Sequence, residues 1–121
     1  MSLSPGRDYF EIEAELKKRI EGDIRFDRYS RLLYSTDASI YQIEPIGVVV
    51  PRTEEDALAA LAIGLEEGVP VLARGAGSSQ CGQTVGAALV VDHSRHLNQV
   101  VDFDRDARAV TVQPAEVVRN D

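Results

Sequence analysis

Residues 47–73 read GVVVPRTEEDALAALAIGLEEGVPVLA, and their punctuation predicts a strand, a helix and a second strand in succession. Val48, Val49 and Val50 form a continuous β-branched run, which suits a strand covered on both faces better than one wetted on one side. Pro51 ends it. Thr53 followed by Glu54, Glu55 and Asp56 is an N-cap with an acidic first turn, which satisfies free amides and complements the helix dipole. Leu58, Leu61, Ala62 and Leu65 mark the expected buried side of this helix, and Gly68 its stop. Residues 69–73, VPVLA, return to extended chain. The segment therefore reads as a β-α-β unit with parallel strands and a right-handed crossover.

Toward the N-terminus, Tyr9, Ile12, Leu16 and Ile20 recur at spacings of three, four and four, which stripes one face of a helix over residues 8–21. Asp8 and Glu11 resemble a capping box, Lys17, Lys18 and Arg19 complement the far end of the dipole, and Gly22 is the expected left-handed stop. Residues 23–46 hold three of the four tyrosines without a clean period. They read as irregular chain or short helical turns, whose tyrosines can stack on a planar ligand or pack with their hydroxyls wet, packing being the favoured role. Toward the C-terminus, residues 87–91 form a third apolar strand. Residues 99–103 and 109–112 alternate about a polar DRDAR turn, which predicts a hairpin. Residues 114–121, PAEVVRND, look like the opening of a further element, so the expected fold is cut at its C-terminal side. The fold class is α+β (α/β-like), with short parallel strands flanked by helices and a C-terminal hairpin, in one domain over residues 1–121.

Acidic residues outnumber basic ones by 20 to 13, for a net charge of −7. Nucleic acids and anionic membrane surfaces demand clustered Lys and Arg, so neither is an expected partner. Any anion site must be local. A single cysteine, Cys81, excludes an internal disulfide and agrees with a reducing, cytoplasmic setting. The opening residues, MSLSPGRDYFEIEAE, contain no apolar signal core, and no stretch reaches the roughly 18 apolar residues of a membrane span.

The segment with chemical content is RGAGSSQCGQTVG, residues 74–86, set directly after a parallel strand. Ligands of open α/β sheets bind outside the carboxyl ends of the strands. Gly75 and Gly77 let successive amides turn toward an anion, Ser78, Ser79 and Thr84 add hydroxyl donors, and the Arg74 fork suits paired phosphate oxygens. Together they outline a pyrophosphate cradle. A dinucleotide fingerprint starting at Gly75 would need glycine where Gln80 stands, followed by a helix. A P-loop starting at Gly77 would need lysine where Gln83 stands. Both motifs fail. The alternative is a Gly/Ser turn without ligand, but three features favour an anion site: placement after a buried strand, the neighbouring arginine, and a length beyond the usual βα loop of about 2–6 residues.

Six segments in this order carry a resemblance: YQIEP at 41–45, VVVP at 48–51, TEEDA at 53–57, GVPV at 68–71, RGAGSS at 74–79 and DHSRHLN at 92–98. They resemble the N-terminal part of the PCMH-type (vanillyl-alcohol-oxidase-like) FAD-binding domain, and are most similar to its D-lactate, glycolate and D-2-hydroxyglutarate dehydrogenase branch. The likeness covers roughly residues 30–115, leaving residues 1–29 as an N-terminal helix and linker. It implies that Arg74, Gly75, Ala76, Gly77, Ser78 and Ser79 wrap the FAD pyrophosphate, with Gln80 and Gly82 approaching the cofactor. Some relatives attach flavin covalently through a histidine in this loop. Ser78 stands at the corresponding position, so noncovalent FAD is implied. Ala115 departs from the glycine that usually follows proline in the family. The second half of the cofactor site and the groups that handle a hydroxy acid would lie beyond residue 121, so a small 2-hydroxy-acid substrate is expected only where that half is supplied.

His93 and His96, three residues apart, lack an evident third ligand, and catalytic zinc typically has three protein ligands. No metal is expected there. Cys81 has no assignable base, so it is not expected to act as a nucleophile. Glu54, Glu55, Asp56, Glu66 and Glu67 read as caps and solvated faces. No catalytic group is assigned. The leading expectation is an FAD-binding portion of a flavin-dependent oxidoreductase. The alternative is a noncatalytic interaction fragment whose exposed apolar surface favours self-association.

Overall fold

The computed structural model describes residues 9–36, 42–75, 77 and 85–114. Its centre is a four-stranded sheet in the order β1-β2-β4-β3, built from β1 (Asp23–Arg25), β2 (Gly47–Val50), β3 (Val71–Arg74) and β4 (Leu89–Asp92). β2, β4 and β3 run parallel, and β1 is antiparallel to β2. β2 and β4 are buried at every position, as continuous apolar runs demand. α1 (Phe10–Arg19) and α3 (Glu54–Glu67) cover one face, where Ile12, Leu16, Ile63, Val49, Leu89 and Val91 form the main core. On the other face Val48, Val50 and Val90 meet Tyr34 and Leu72, close to α2 (Arg28–Leu33).

The β2-α3-β3 unit forms, and its strands are parallel members of one sheet, but they are not neighbours. β4 lies between them, pairing Val48 with Val90 on one side and Leu72 with Val90 on the other. A run buried on both faces belongs at the centre of a sheet, and VLAR, which is only partly buried, takes the edge.

Three local expectations require correction. The first is the buried side of α3: Leu58 and Leu65 are 66% and 75% exposed, Leu61 is also exposed, and the helix buries Asp56, Ala60, Ile63 and Gly64 instead. α3 is apolar around much of its circumference, and its small residues permit the closer approach. A Cβ on Gly64 would overlap the Val71 side chain. The second is Gly22, which takes no left-handed φ. α1 closes at Ile20 in extended conformation, and Gly22 is glycine because a Cβ would run into the Val50 carbonyl oxygen. The third is Asp56, which belongs to no solvated face. It is 4% exposed, and its carboxylate accepts the amide hydrogens of Glu21 (3.1 Å), Gly22 (3.0 Å) and Arg52 (3.0 Å).

Other local causes act as expected. Thr53 Oγ1 accepts the Asp56 amide at 3.1 Å, and Gly68 caps α3 at φ 66° with its amide directed to Gly64 and Leu65. The apolar stripe of α1 is buried at Ile12, Leu16 and Ile20. Asp8 lies outside the described residues. Within residues 23–46, the short α2 is capped by the Asp27 carboxylate on the Ser30 amide, and β1 is a strand that periodicity did not announce. The hairpin pairs β5 (Val100–Asp104) with β6 (Ala109–Val112), every residue of it exposed. No helix among the described residues is long and apolar enough to cross a membrane.

Candidate functional site

β3 and β4 end side by side at the carboxyl edge of the sheet, where Arg74 pairs in register with Asp92 and its carbonyl accepts the His93 amide at 2.9 Å. Parallel neighbours in register project to the same face, so a cation and an anion emerge together where the glycine-rich loop begins. Each follows an apolar run, in VLAR and LVVD.

Tyr34, just past α2, stands with this pair. Its hydroxyl donates to Asp92 Oδ2 at 2.5 Å, and the other carboxylate oxygen accepts from the Ser94 amide at 2.8 Å and the Ser94 hydroxyl at 2.6 Å. The Arg74 guanidinium lies over the Tyr34 ring, 5.2 Å from its centroid, and Nη1 donates to the Tyr34 carbonyl at 3.5 Å. Burial, the hydrogen bond to Asp92 and the charge of that carboxylate push the Tyr34 phenol up to about 12, against an opposing pull from Arg74. The hydroxyl therefore stays a donor across the physiological range.

Of the expected cofactor-loop residues, Arg74, Gly75 and Gly77 are described, and Ala76, Ser78, Ser79, Gln80 and Gly82 lie outside the described residues, as do Cys81, Thr84 and Ala115. Gly77 adopts φ 71°, a conformation that glycine takes without steric cost. A Cβ there would meet the Arg74 guanidinium, with Cζ at 2.9 Å and Nε at 3.1 Å. A Cβ on Gly75 would meet nothing within 4 Å. Gly77 thus makes room for its own arginine, whereas Gly75 borders open space. A guanidinium folded over a left-handed turn at the carboxyl edge of parallel strands is compatible with the paired phosphates of a dinucleotide.

Tyr34 and Asp92 were not singled out by sequence reasoning. A charged residue ending each of two apolar strands was the available signal for the edge, whereas Tyr34 carried none because it reaches the site through tertiary packing. Tyr29, by contrast, is exposed. His93 lies beside Asp92 with its ring Nδ1 buried, and burial lowers its pKa against the pull of that carboxylate. No group of three His, Cys, Asp or Glu suited to a metal occurs among the described residues.

The FAD binding domain family matches residues 45–120. Glycolate oxidase subunit GlcD of Bacillus subtilis is 34% identical over 106 residues, which cover 82% of this chain and 22% of the relative. D-2-hydroxyglutarate dehydrogenase of Pseudomonas putida is 32% identical over 120 residues, 96% of this chain and 12% of the relative. The chain thus spans less than a quarter of the length of these curated relatives. Among solved structures, glucooligosaccharide oxidase from Acremonium strictum superposes with a TM-score of 0.69 at 22% identity, over 87% of this chain and 22% of that one. An alkyldihydroxyacetonephosphate synthase gives a TM-score of 0.69 at 21% identity, over 88% of this chain and 22% of that one. The structural likenesses show the fold, and the family match spans more than half of the residues. The chain belongs to the FAD binding domain family and has its PCMH-type fold.

Proposed function

We propose that this chain is the FAD-binding portion of a flavin-dependent oxidoreductase acting on a D-2-hydroxy acid of the D-lactate, glycolate or D-2-hydroxyglutarate class, and that it holds the FAD pyrophosphate through residues 74–82. The observation that carries this reading is the Arg74 guanidinium folded over Gly77 at the carboxyl edge of the parallel strands. The charge supports a local site: in a chain of net charge −7, one fixed guanidinium beside a glycine turn is where a dianionic pyrophosphate finds a complementary field. Arg74, Gly75, Ala76, Gly77, Ser78 and Ser79 supply the cradle, with Gln80 and Gly82 beside it. Serine at position 78, where some relatives have the attaching histidine, supports noncovalent FAD. FAD held by its pyrophosphate in the loop at residues 74–82 would supply hydride-transfer chemistry. This chain's part is to bind and orient the diphosphate, and the hydroxy acid is handled by polypeptide outside these residues.

Calorimetric titration of the wild-type chain and Gly77→Val with FAD, ADP and ATP tests the reading. Valine strains the left-handed turn and displaces Arg74, so FAD and ADP affinity should fall at least tenfold, corresponding to about 1.4 kcal/mol or more. Equal affinities for the two proteins would refute the loop assignment. ATP bound more tightly than FAD would redirect it to another phosphorylated ligand.

A second reading, a noncatalytic interaction fragment, draws support from exposed apolar surface. Leu58, Leu61 and Leu65 line one side of α3, and Val101, Phe103, Val110 and Val112 are exposed on the hairpin. Such surface favours self-association. A colourless oligomer indifferent to FAD in sedimentation with flavin absorbance would favour this reading over the first.

A further inference from the structure

We propose that Tyr34 is a positioning residue of the cofactor loop: anchored by Asp92, its ring and carbonyl carry the Arg74 guanidinium, and Arg74 so held keeps Gly77 in its turn. The inference rests on the reading of residues 74–82 as the pyrophosphate loop and assigns the group that shapes it.

The chain of contacts runs from the core outward. Tyr34 caps α2, its amide directed to the carbonyls of Arg31, Leu32 and Ser30, and its ring packs against the Val48, Val50 and Val90 cluster. The backbone cap and this side-chain packing together fix its base. Its far end is fixed by Asp92, a carboxylate only 7% exposed and itself held by the amide and hydroxyl of Ser94. A ring pinned at both ends is a rigid platform. The guanidinium at 5.2 Å lies within the roughly 6 Å reach of a cation–π contact, and the Tyr34 carbonyl adds an acceptor for Nη1. Arginine has a long, flexible side chain, so holding its head in one place requires such a surface. The three atoms nearest to a Cβ at position 77 are all in that head: Nη2, Cζ and Nε. The guanidinium therefore forms one wall of the turn at Gly77.

The arrangement also explains why a tyrosine stands between opposite charges. Arg74 and Asp92 are register partners. Tyr34 and Ser94 direct neutral donors to both carboxylate oxygens while the aromatic face meets the cation, so the carboxylate is satisfied and the guanidinium is turned toward the loop.

The test uses the 121-residue chain with Tyr34→Leu, Tyr34→Phe, Arg74→Met and the Tyr34→Leu/Arg74→Met double variant. FAD affinity is followed by flavin fluorescence, and the turn by hydrogen exchange at the Gly77 amide without ligand. Tyr34→Leu should weaken FAD about tenfold and speed exchange at Gly77, Tyr34→Phe should recover at least half of the loss on a logarithmic scale, and Tyr34→Leu should add nothing once Arg74 is methionine. An equal loss from Tyr34→Leu with and without Arg74 would overturn the proposal, since a residue supporting only the fold acts regardless of the arginine. So would a Phe variant as weak as Leu at an unchanged unfolding midpoint. Should Tyr34→Leu not fold, Tyr34→Phe and Arg74→Met decide through exchange: faster exchange at Gly77 in Arg74→Met, with a smaller increase in Tyr34→Phe, supports the platform, and unchanged exchange in Arg74→Met refutes it. If the wild-type chain takes up no FAD, the loop reading falls, and exchange still decides the role of Tyr34. If FAD binds and Tyr34→Leu alters neither readout, the positioning role falls and the loop reading stands.

Discussion

Replacing Asp56 by alanine should destabilise the chain far more than truncating an exposed carboxylate such as Glu55. The two oxygens of Asp56 accept three amide hydrogens, from the turn after α1 (Glu21 and Gly22) and from the residue after Pro51 (Arg52), tying two connections to the first turn of α3. Hydrogen bonds to a charged acceptor contribute roughly 1.5–3 kcal/mol each, and water can reach part of this turn after truncation, so a net loss of about 3 kcal/mol is expected rather than the full sum. That is a large fraction of the stability of a domain this size. Asp56→Asn keeps one acceptor oxygen and should lose roughly half as much, whereas Glu55→Ala should change stability by less than about 0.5 kcal/mol. Urea unfolding followed by far-ultraviolet circular dichroism measures all three. The pH dependence gives a second reading of the same group. Burial alone would raise the Asp56 carboxyl, but the amides of Arg52, Glu21 and Gly22 outweigh it and hold the pKa below 3.8. A depressed folded value means the contribution is complete above the unfolded pKa and is lost as pH falls through the folded one. The gap between wild type and Asp56→Ala should therefore narrow below pH 3.8. Unfolding free energies of wild type and Asp56→Ala agreeing within about 0.5 kcal/mol at neutral pH would refute the account of this carboxylate.

Three further outcomes follow from the packing. Gly64→Val should destabilise the chain by roughly 2–4 kcal/mol in the same urea assay, because even its Cβ overlaps Val71 where α3 presses on the sheet. Tyr34 has a folded pKa of about 12 against an ordinary 10.0, so the folded form retains its proton longer than the unfolded one; stability should fall between pH 10 and 12, and fall less in Tyr34→Phe, as thermal melts across that interval will show. Leu61→Lys paired with Leu65→Lys should lower any self-association seen in sedimentation without lowering the urea midpoint, since both side chains are exposed in the isolated chain.

What could be read from the residues was what the residues cause locally. Thr53 and Gly68 announce the ends of α3, the β-branched run announces β2, and the spacing of Ile12, Leu16 and Ile20 announces the inner face of α1. The errors were non-local. Leu58, Leu61 and Leu65 form a stripe as regular as the buried one, and the inner face is instead the one where Gly64 fits under Val71, which no periodicity can register. Strand order depends on which run ends up covered twice, and that is decided by helices on both sides. Asp56 reads as one more acid in a capped first turn until the folded chain brings Glu21 and Gly22 to it. At the candidate site, composition and placement singled out Arg74, which stands at the carboxyl edge of the sheet, whereas Tyr34 lies 40 residues before the arginine that contacts its ring and carbonyl.

The insertion of β4 between β2 and β3 has a consequence for the order of events during synthesis. The first two strands of the parallel set leave the ribosome without a neighbour they can bond to each other through, and the middle rung is supplied only when Asp92 has emerged. Until then the growing polypeptide carries two unsatisfied strand edges, a state prone to mispairing. The same rung delivers the carboxylate that anchors Tyr34, so assembly of the sheet and assembly of the arginine platform are one step, and a nascent chain halted before that residue would have neither.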